Sequence, residues 1–196
     1  DAFDFSANGA NPTSSQFRQI GNAVPPLLAM ALGGEIIKSL GLKPKMTISE
    51  IMAVLGQWET KRVIFTGGEP AMQKLRPLSD ELHSKGYNIA IETNGTIELE
   101  DGLVDWICVS PKDMLYPEFS IKQRKGDELK VVYTGQDLAM YNNLKEGFDN
   151  LFLQPCYDEA KDAGTNGKTF HSTFDMVMQN PGWNLSLQTH KWMGVD

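Results

Sequence analysis

The sequence predicts an α/β domain over residues 46–196, a parallel sheet forming part of a (β/α) barrel, with a loop and helix appended in front of it. Three observations predict this. Short apolar or β-branched runs recur along the chain, stretches with helical leucine spacing lie between some of them, and nearly every run ends in a polar or glycine-rich cluster. Strand and helix patterns in alternation imply parallel strands joined by crossover helices.

In chain order, residues 1–16 are polar and rich in Asn, Ser and Gly, and read as loop. They carry neither the basic nor the apolar region of a signal peptide, and the start at Asp1 instead of Met points to a fragment or processed product. Pro25-Pro26 opens LLAMALGGEIIKSL, which closes at Gly41 with Pro44 beyond. Proline near the start and glycine past the end punctuate a helix. Residues 43–45 read as a linker, dividing a tail at 1–45 from a domain at 46–196. Thr47 is placed to cap a helix over Ile48–Gln57.

The expected strands are Arg62–Thr66, Asn88–Glu92, Asp105–Ser110, Leu129–Tyr133, Leu151–Gln154 and Leu185–Gln188. Between the first two, Pro70–Lys85 sets Leu75, Leu78 and Leu82 at helical spacing, and Gln136–Glu146 and Thr169–Gln179 read as further helices. The link from Glu92 to Asp105 is too short for a long helix.

The strand ends carry the functional signal. They read Thr66-Gly67-Gly68-Glu69-Pro70, Glu92-Thr93-Asn94-Gly95, Ser110-Pro111-Lys112, Gln154-Pro155 and Gln188-Thr189-His190-Lys191. In a parallel barrel all strand C-termini open on one face, where active sites lie. Strand-to-loop junctions are commonly polar, but the repetition of carboxylate, ammonium, imidazole and amide groups favours a convergent pocket. Gly67 and Gly68 let a backbone edge approach a ligand with no Cβ in the way, and Glu69 offers a carboxylate to an ammonium group there. The same residues also suit a tight turn with Pro70 opening a helix, and spacing alone leaves both readings standing. Glu92 likewise suits a turn-side carboxylate before Thr93-Asn94-Gly95.

Composition narrows the classes. With 41% hydrophobic and 22% charged residues the chain is an ordinary globular sequence. A net charge of −7 with Lys and Arg scattered argues against nucleic-acid binding. No apolar run approaches the ~20 residues of a membrane span. The two cysteines, Cys108 and Cys156, exclude a disulfide framework and point to a reducing cytoplasm. By count they also exclude a site built from three or four thiolates. Cys108 reads as a small buried hydrophobe in a strand, while His83 and His171, in helical stretches, read as non-ligands.

Five segments in order, VIFTGGEP, IAIETNGT, VSPK, LQP and the terminal SLQTHKWMGVD, resemble the 7-carboxy-7-deazaguanine synthase family of radical S-adenosylmethionine (SAM) enzymes, from about Met46 to Asp196. The resemblance implies a radical-SAM-type partial barrel and a carbon–nitrogen lyase that converts 6-carboxy-5,6,7,8-tetrahydropterin to 7-carboxy-7-deazaguanine, on the route to queuosine. The implied cofactors are SAM, a [4Fe–4S] cluster and Mg²⁺. Carried over by motif, Gly67, Gly68, Glu69, Ser110, Pro111, Lys112, Gln154, Pro155, Cys156 and Tyr157 would line the SAM site. Thr66, Glu92, His190 and Asp196 would face the pterin substrate. The family's cluster cysteines, its L-Q-G-E-G segment and its magnesium-binding threonine, all in its N-terminal third, have no counterpart here. The resemblance therefore implies a domain without its first strand and cluster loop, inactive alone. It implies no nucleic-acid or membrane partner and leaves a homodimer open.

Where that N-terminal third would stand, residues 16–37 read QFRQIGNAVPPLLAMALGGEII. This resembles the last motif of DNA cytosine-C5 methyltransferases, and implies a tail that completes a SAM site in that family. The methyltransferase glycine-rich motif and Pro-Cys nucleophile are absent. Two rival functions follow: a non-catalytic remnant binding SAM or pterin, and a methyltransferase tail serving as an assembly element.

Overall fold

The computed structural model describes residues 3–4, 45–112, 120–158 and 161–189. The helix expected after Pro25-Pro26 and nearly all of the 1–45 tail lie outside these residues. The chain forms two compact units, Asp1–Thr93 with Leu99–Trp106, and Asn94–Glu98 with Ile107–Asp196.

In the first unit, β1 (Phe3–Asp4) pairs antiparallel with β2 (Lys45–Met46). Helix α1 (Ile48–Leu55) begins as its sequence predicts: Glu50 N donates to Thr47 Oγ1 at 3.3 Å while Thr47 N donates to Glu50 Oε2 at 2.9 Å. Reciprocal bonds of this kind satisfy two backbone donors that a helix start otherwise leaves bare. Strands β3 (Arg62–Phe65) and β4 (Asn88–Thr93) run parallel, from Arg62↔Asn88 to Phe65↔Ile91.

The single helix expected over residues 70–85 is two pieces, a 3₁₀ turn at Pro70–Met72 and α2 at Arg76–Ser84. Pro77 has no N–H to donate, so it belongs in the first turn of a new helix and not in the middle of an old one. Leu78 and Leu82 of α2, with Phe65, Ile89 and Ile91 of the strands, are buried. Each such side chain contributes about 1.5–3 kcal/mol. The return loop is tied to α2. The Arg76 guanidinium donates to Asp101 O at 2.8 Å and Gly102 O at 3.2 Å, and the Ser79 hydroxyl donates to Leu103 O.

In the second unit, β5 (Trp106–Val109, of which Trp106 belongs to the first unit) pairs parallel with β6 (Gly126–Tyr133), β6 with β7 (Phe148–Pro155), and β7 with β8 (Asn184–Leu185). The four strands β5 to β8 are hydrogen-bonded neighbours in chain order. Leu129, Val131 and Tyr133 alternate along β6 into a core shared with Val109, Leu153, Leu138, Tyr141, Leu144, Phe148 and Trp183. Glu128, Lys130 and Val132 take the opposite face of β6, as the period of two in a strand requires. The stretch 136–146, expected as one helix, is a 3₁₀ turn at Leu138–Tyr141 followed by a single turn, α3, at Asn142–Lys145. Helix α4 (Ala163–Gln179) starts six residues before the expected Thr169. The last strand is only Asn184–Leu185, shorter than the expected Leu185–Gln188.

Candidate functional site

The strand-end residues fall into two groups, one in each unit. In the first, Phe65↔Ile91 is the last ladder pair, so Thr66 and Glu92 are the next residues along neighbouring strands. Both are half-buried. After Thr66 the chain turns at Gly67, whose φ of 122° is strained for any side chain, and a Cβ there would meet nothing within 4 Å. The glycine is thus needed for the turn, and it leaves an open approach to the backbone. Gly68 is exposed.

Glu69 is oriented by two donors. Its Oε1 accepts from Ala71 N at 3.0 Å and from the Thr93 hydroxyl at 2.7 Å. The first bond makes Glu69 the cap of the Pro70–Met72 turn, so the bland reading of Gly-Gly-Glu-Pro as a turn is correct as geometry. The second bond ties the carboxylate to the end of β4. Thr93 is buried at 2% exposure, and sequence reasoning, which took it for a turn residue, missed this. Its partner lies 24 residues away, a distance no local pattern reveals.

In the second unit, Ser110 and Pro111 follow β5 and are buried, and the half-buried Lys112 donates from Nζ to Ser110 Oγ at 3.0 Å. Gln154 and Pro155 end β7 opposite Val132 and Tyr133 of β6. Gln154 is buried at 1% exposure and its Oε1 meets no hydrogen-bond partner among the described residues. A buried acceptor without a partner is unfavourable by about 1–3 kcal/mol, unless a ligand or water supplies the donor. Cys156 and Tyr157 follow, both half-buried. Gly95, in the turn after β4, has φ 78° and accepts from Lys122 N at 2.7 Å and Gln123 N at 3.0 Å. His190 and Asp196 lie outside the described residues.

His83 bonds through Nε2 to Asp105 Oδ2 at 3.1 Å, and His171 is exposed beside Phe170. Asp105 Oδ2 also accepts from Ile89 N at 2.7 Å. The Ile89 backbone N–H first, and His83 second, hold its carboxyl below the usual carboxylate range. Cys108 is buried within β5. No group of three or more His, Cys, Asp or Glu side chains among the described residues could hold a metal ion. No helix among them is long and apolar enough to cross a membrane.

No protein-family model matches the chain. It is 36% identical over 163 residues to the 7-carboxy-7-deazaguanine synthase of Nitratidesulfovibrio vulgaris, covering 83% of this chain and 72% of that protein. It is 39% identical over 150 residues to the 7-carboxy-7-deazaguanine synthase of Bacteroides thetaiotaomicron, covering 76% and 74%. The chain belongs to the 7-carboxy-7-deazaguanine synthase family. Its fold is similar to the crystal structure of QueE from Escherichia coli, with a TM-score of 0.57 and 25% identity, over 73% of this chain and 64% of that one. The α/β class with a partial radical-SAM-type barrel is therefore that of the 7-carboxy-7-deazaguanine synthase family. The chain spans less than two thirds of the length of that solved structure.

Proposed function

We propose that residues 46–196 carry the SAM- and substrate-facing part of a 7-carboxy-7-deazaguanine synthase, the lyase that forms 7-carboxy-7-deazaguanine from 6-carboxy-5,6,7,8-tetrahydropterin. The observation that carries the site is Gln154 Oε1, a buried acceptor with no hydrogen-bond partner among the described residues, at a strand end that the family resemblance assigns to SAM. A ligand N–H donor there removes the penalty.

In this reading Gly67, Gly68 and Glu69 take the methionyl end of SAM, the Glu69 carboxylate accepting its ammonium group. Ser110, Pro111 and Lys112 line the same cofactor, as do Gln154, Pro155, Cys156 and Tyr157. Thr66, Glu92, His190 and Asp196 face the pterin. In the family, SAM bound to a [4Fe–4S] cluster supplies the radical, with Mg²⁺ at the substrate. A cluster needs several cysteine thiolates, and this sequence holds only Cys108, buried inside β5, and Cys156. These residues do not fit the cluster, so the proposed roles are binding and orientation of SAM and substrate.

Two measurements test this. Calorimetry should detect SAM binding of roughly 100 µM or weaker, because the iron chelate to the methionine group is missing. No heat at several millimolar SAM would refute the site. Anaerobic reconstitution with iron and sulfide should leave the chain colourless, and a stoichiometric cluster with SAM cleavage would refute the cluster statement.

Residues 1–45 keep their proposed reading as a methyltransferase-like tail acting in assembly, supported by the RQIGNAVPP segment. Stable association with a methyltransferase lacking that segment tests it. A small-molecule pterin as substrate, in a reducing cytoplasm, completes the proposal.

A further inference from the structure

We propose that Asn166 is a positioning residue for the ligand-facing segment Gln154–Tyr157, which it holds through the loop that follows. The inference rests on the reading of that segment as part of the SAM site.

The segment is fixed upstream by the sheet. Gln154 and Pro155 are still in register with Val132 and Tyr133, and Cys156 N donates to Tyr133 O at 3.3 Å. Downstream it is tied to the Asn166 side chain. Asp158 N donates to Asn166 Oδ1 at 3.0 Å, and Asn166 Nδ2 donates to Asp158 O at 3.0 Å and to Lys161 O at 3.3 Å. Only Cys156 and Tyr157 lie between the last ladder residue and the clamp. Their path is therefore set from both sides before any ligand arrives, which lowers the entropy lost on binding.

Asn166 is itself held firmly. It is 4% exposed, and its own N donates to Asp162 O at 3.1 Å in the first turn of α4. Asp162 caps that turn, accepting from Thr165 N at 3.0 Å and from the Thr165 hydroxyl at 2.7 Å. Two further ties lie within the loop. Lys161 N donates to Asp158 O at 3.0 Å, and the exposed Lys161–Asp158 ion pair at 3.7 Å is of a kind that contributes little.

Asparagine alone suits the position. The clamp asks for one acceptor and two donors on a short side chain, which is the inventory of a primary amide. Aspartate would set a carboxylate against two carbonyl oxygens. Glutamine would carry its amide one methylene away from both backbone partners, and leucine would fill the volume but bond to nothing.

The test uses the full chain, with SAM as the calorimetric probe and hydrogen exchange of the loop amides as an independent readout. Asn166→Ala should speed exchange at the Asp158 amide and weaken SAM about tenfold. Asn166→Asp should be equally weak at about pH 7.5 and recover relative to the parent at about pH 5, as carboxyl protonation restores one donor. Thr173→Ala removes a hydroxyl that donates to Thr169 O at 2.7 Å in the same helix, away from the loop, and serves as the control. It should lower the melting temperature and leave SAM affinity within about twofold of the parent. If Asn166→Ala leaves SAM affinity unchanged while the parent binds, the positioning role is wrong. An equal loss in Thr173→Ala makes Asn166 merely structural. If the parent binds no SAM at all, the site reading itself fails and takes this role with it; Asp158 exchange then still reports whether the clamp exists.

Discussion

The Thr93 hydroxyl donates to Glu69 Oε1 at 2.7 Å, joining the last residue of β4 to the carboxylate that follows the two glycines after β3. The bond does two things. It satisfies the hydroxyl of a side chain that is 2% exposed, and it fixes the direction of a carboxylate proposed to receive an ammonium group.

Thr93→Val should therefore separate stability from binding. The isostere removes the donor and keeps the volume, so the loss in stability should be modest, about 1 kcal/mol. SAM affinity should fall further, by about tenfold, because Glu69 loses its aim. Thr93→Ser retains the hydroxyl and should restore binding. Calorimetry on the two variants checks this, and equal SAM affinity in both would remove Thr93 from the site.

Gly95→Ala should destabilise the protein by about 1–3 kcal/mol. Its φ is 78°, and an added Cβ would lie 2.8 Å from Val109 Cγ1 and 3.1 Å from Ile121 Cγ2. Both effects act against the variant, since the backbone is in the left-handed region and neither branched side chain has a flexible end to withdraw. Urea unfolding measures it. Gly102→Ala, at φ 64° with nothing within 4 Å of its Cβ, should suffer only the backbone part.

What could be read in the sequence was whatever depends on near neighbours. Thr47 and Glu50 form their capping box because three residues of spacing suffice for it. The strands lie where β-branched and apolar residues cluster, and Gly67 turns the chain after β3 as its position implies. The start of α4 could not be read. Gly164, Asn166 and Gly167 are poor helix formers, and although Asp162 caps the turn locally through Thr165 N, the Asn166 side chain bonds to Asp158 eight residues back, which helical spacing does not reveal. The site divides in the same way. Glu69, Lys112 and Gln154 announce themselves by motif, whereas Thr93 and Asn166 act on partners defined by tertiary structure.

Stability should fall on acidification through the carboxyls of Asp105 and Asp162. Ile89 N–H and then His83 hold Asp105 below its usual range, and the Thr165 hydroxyl and N–H do the same for Asp162. A carboxyl with a lowered folded-state pKa contributes stability that is fully present above its unfolded value, about 3.9, and is lost as pH falls through the folded value. Asp105→Asn should thus be less stable than the parent at neutral pH, by 1 kcal/mol or less since the site is partly exposed, roughly the range of such contacts. The gap should close below about pH 4. Melting temperatures across pH test the sign, and a gap that widens on acidification would contradict it.

Gln154 permits the sharpest separation of folding from function. Its side chain is 1% exposed and Oε1 has no hydrogen-bond partner among the described residues, the situation in which a buried acceptor is unfavourable until a donor reaches it. Methionine has nearly the same length and volume and no acceptor to leave unmet. Replacing a buried unsatisfied polar group with an apolar one of similar shape is neutral or stabilising, by up to about 1–3 kcal/mol. Gln154→Met should accordingly hold or raise the melting temperature of the ligand-free chain. The same change deletes the acceptor that a bound SAM would fill, so added SAM should shift the melting temperature of the parent and leave that of the variant in place. If Gln154→Met melts lower than the parent, Oε1 has a partner in solution after all, and the acceptor does not await a ligand. If it melts higher yet responds to SAM as the parent does, SAM binds elsewhere.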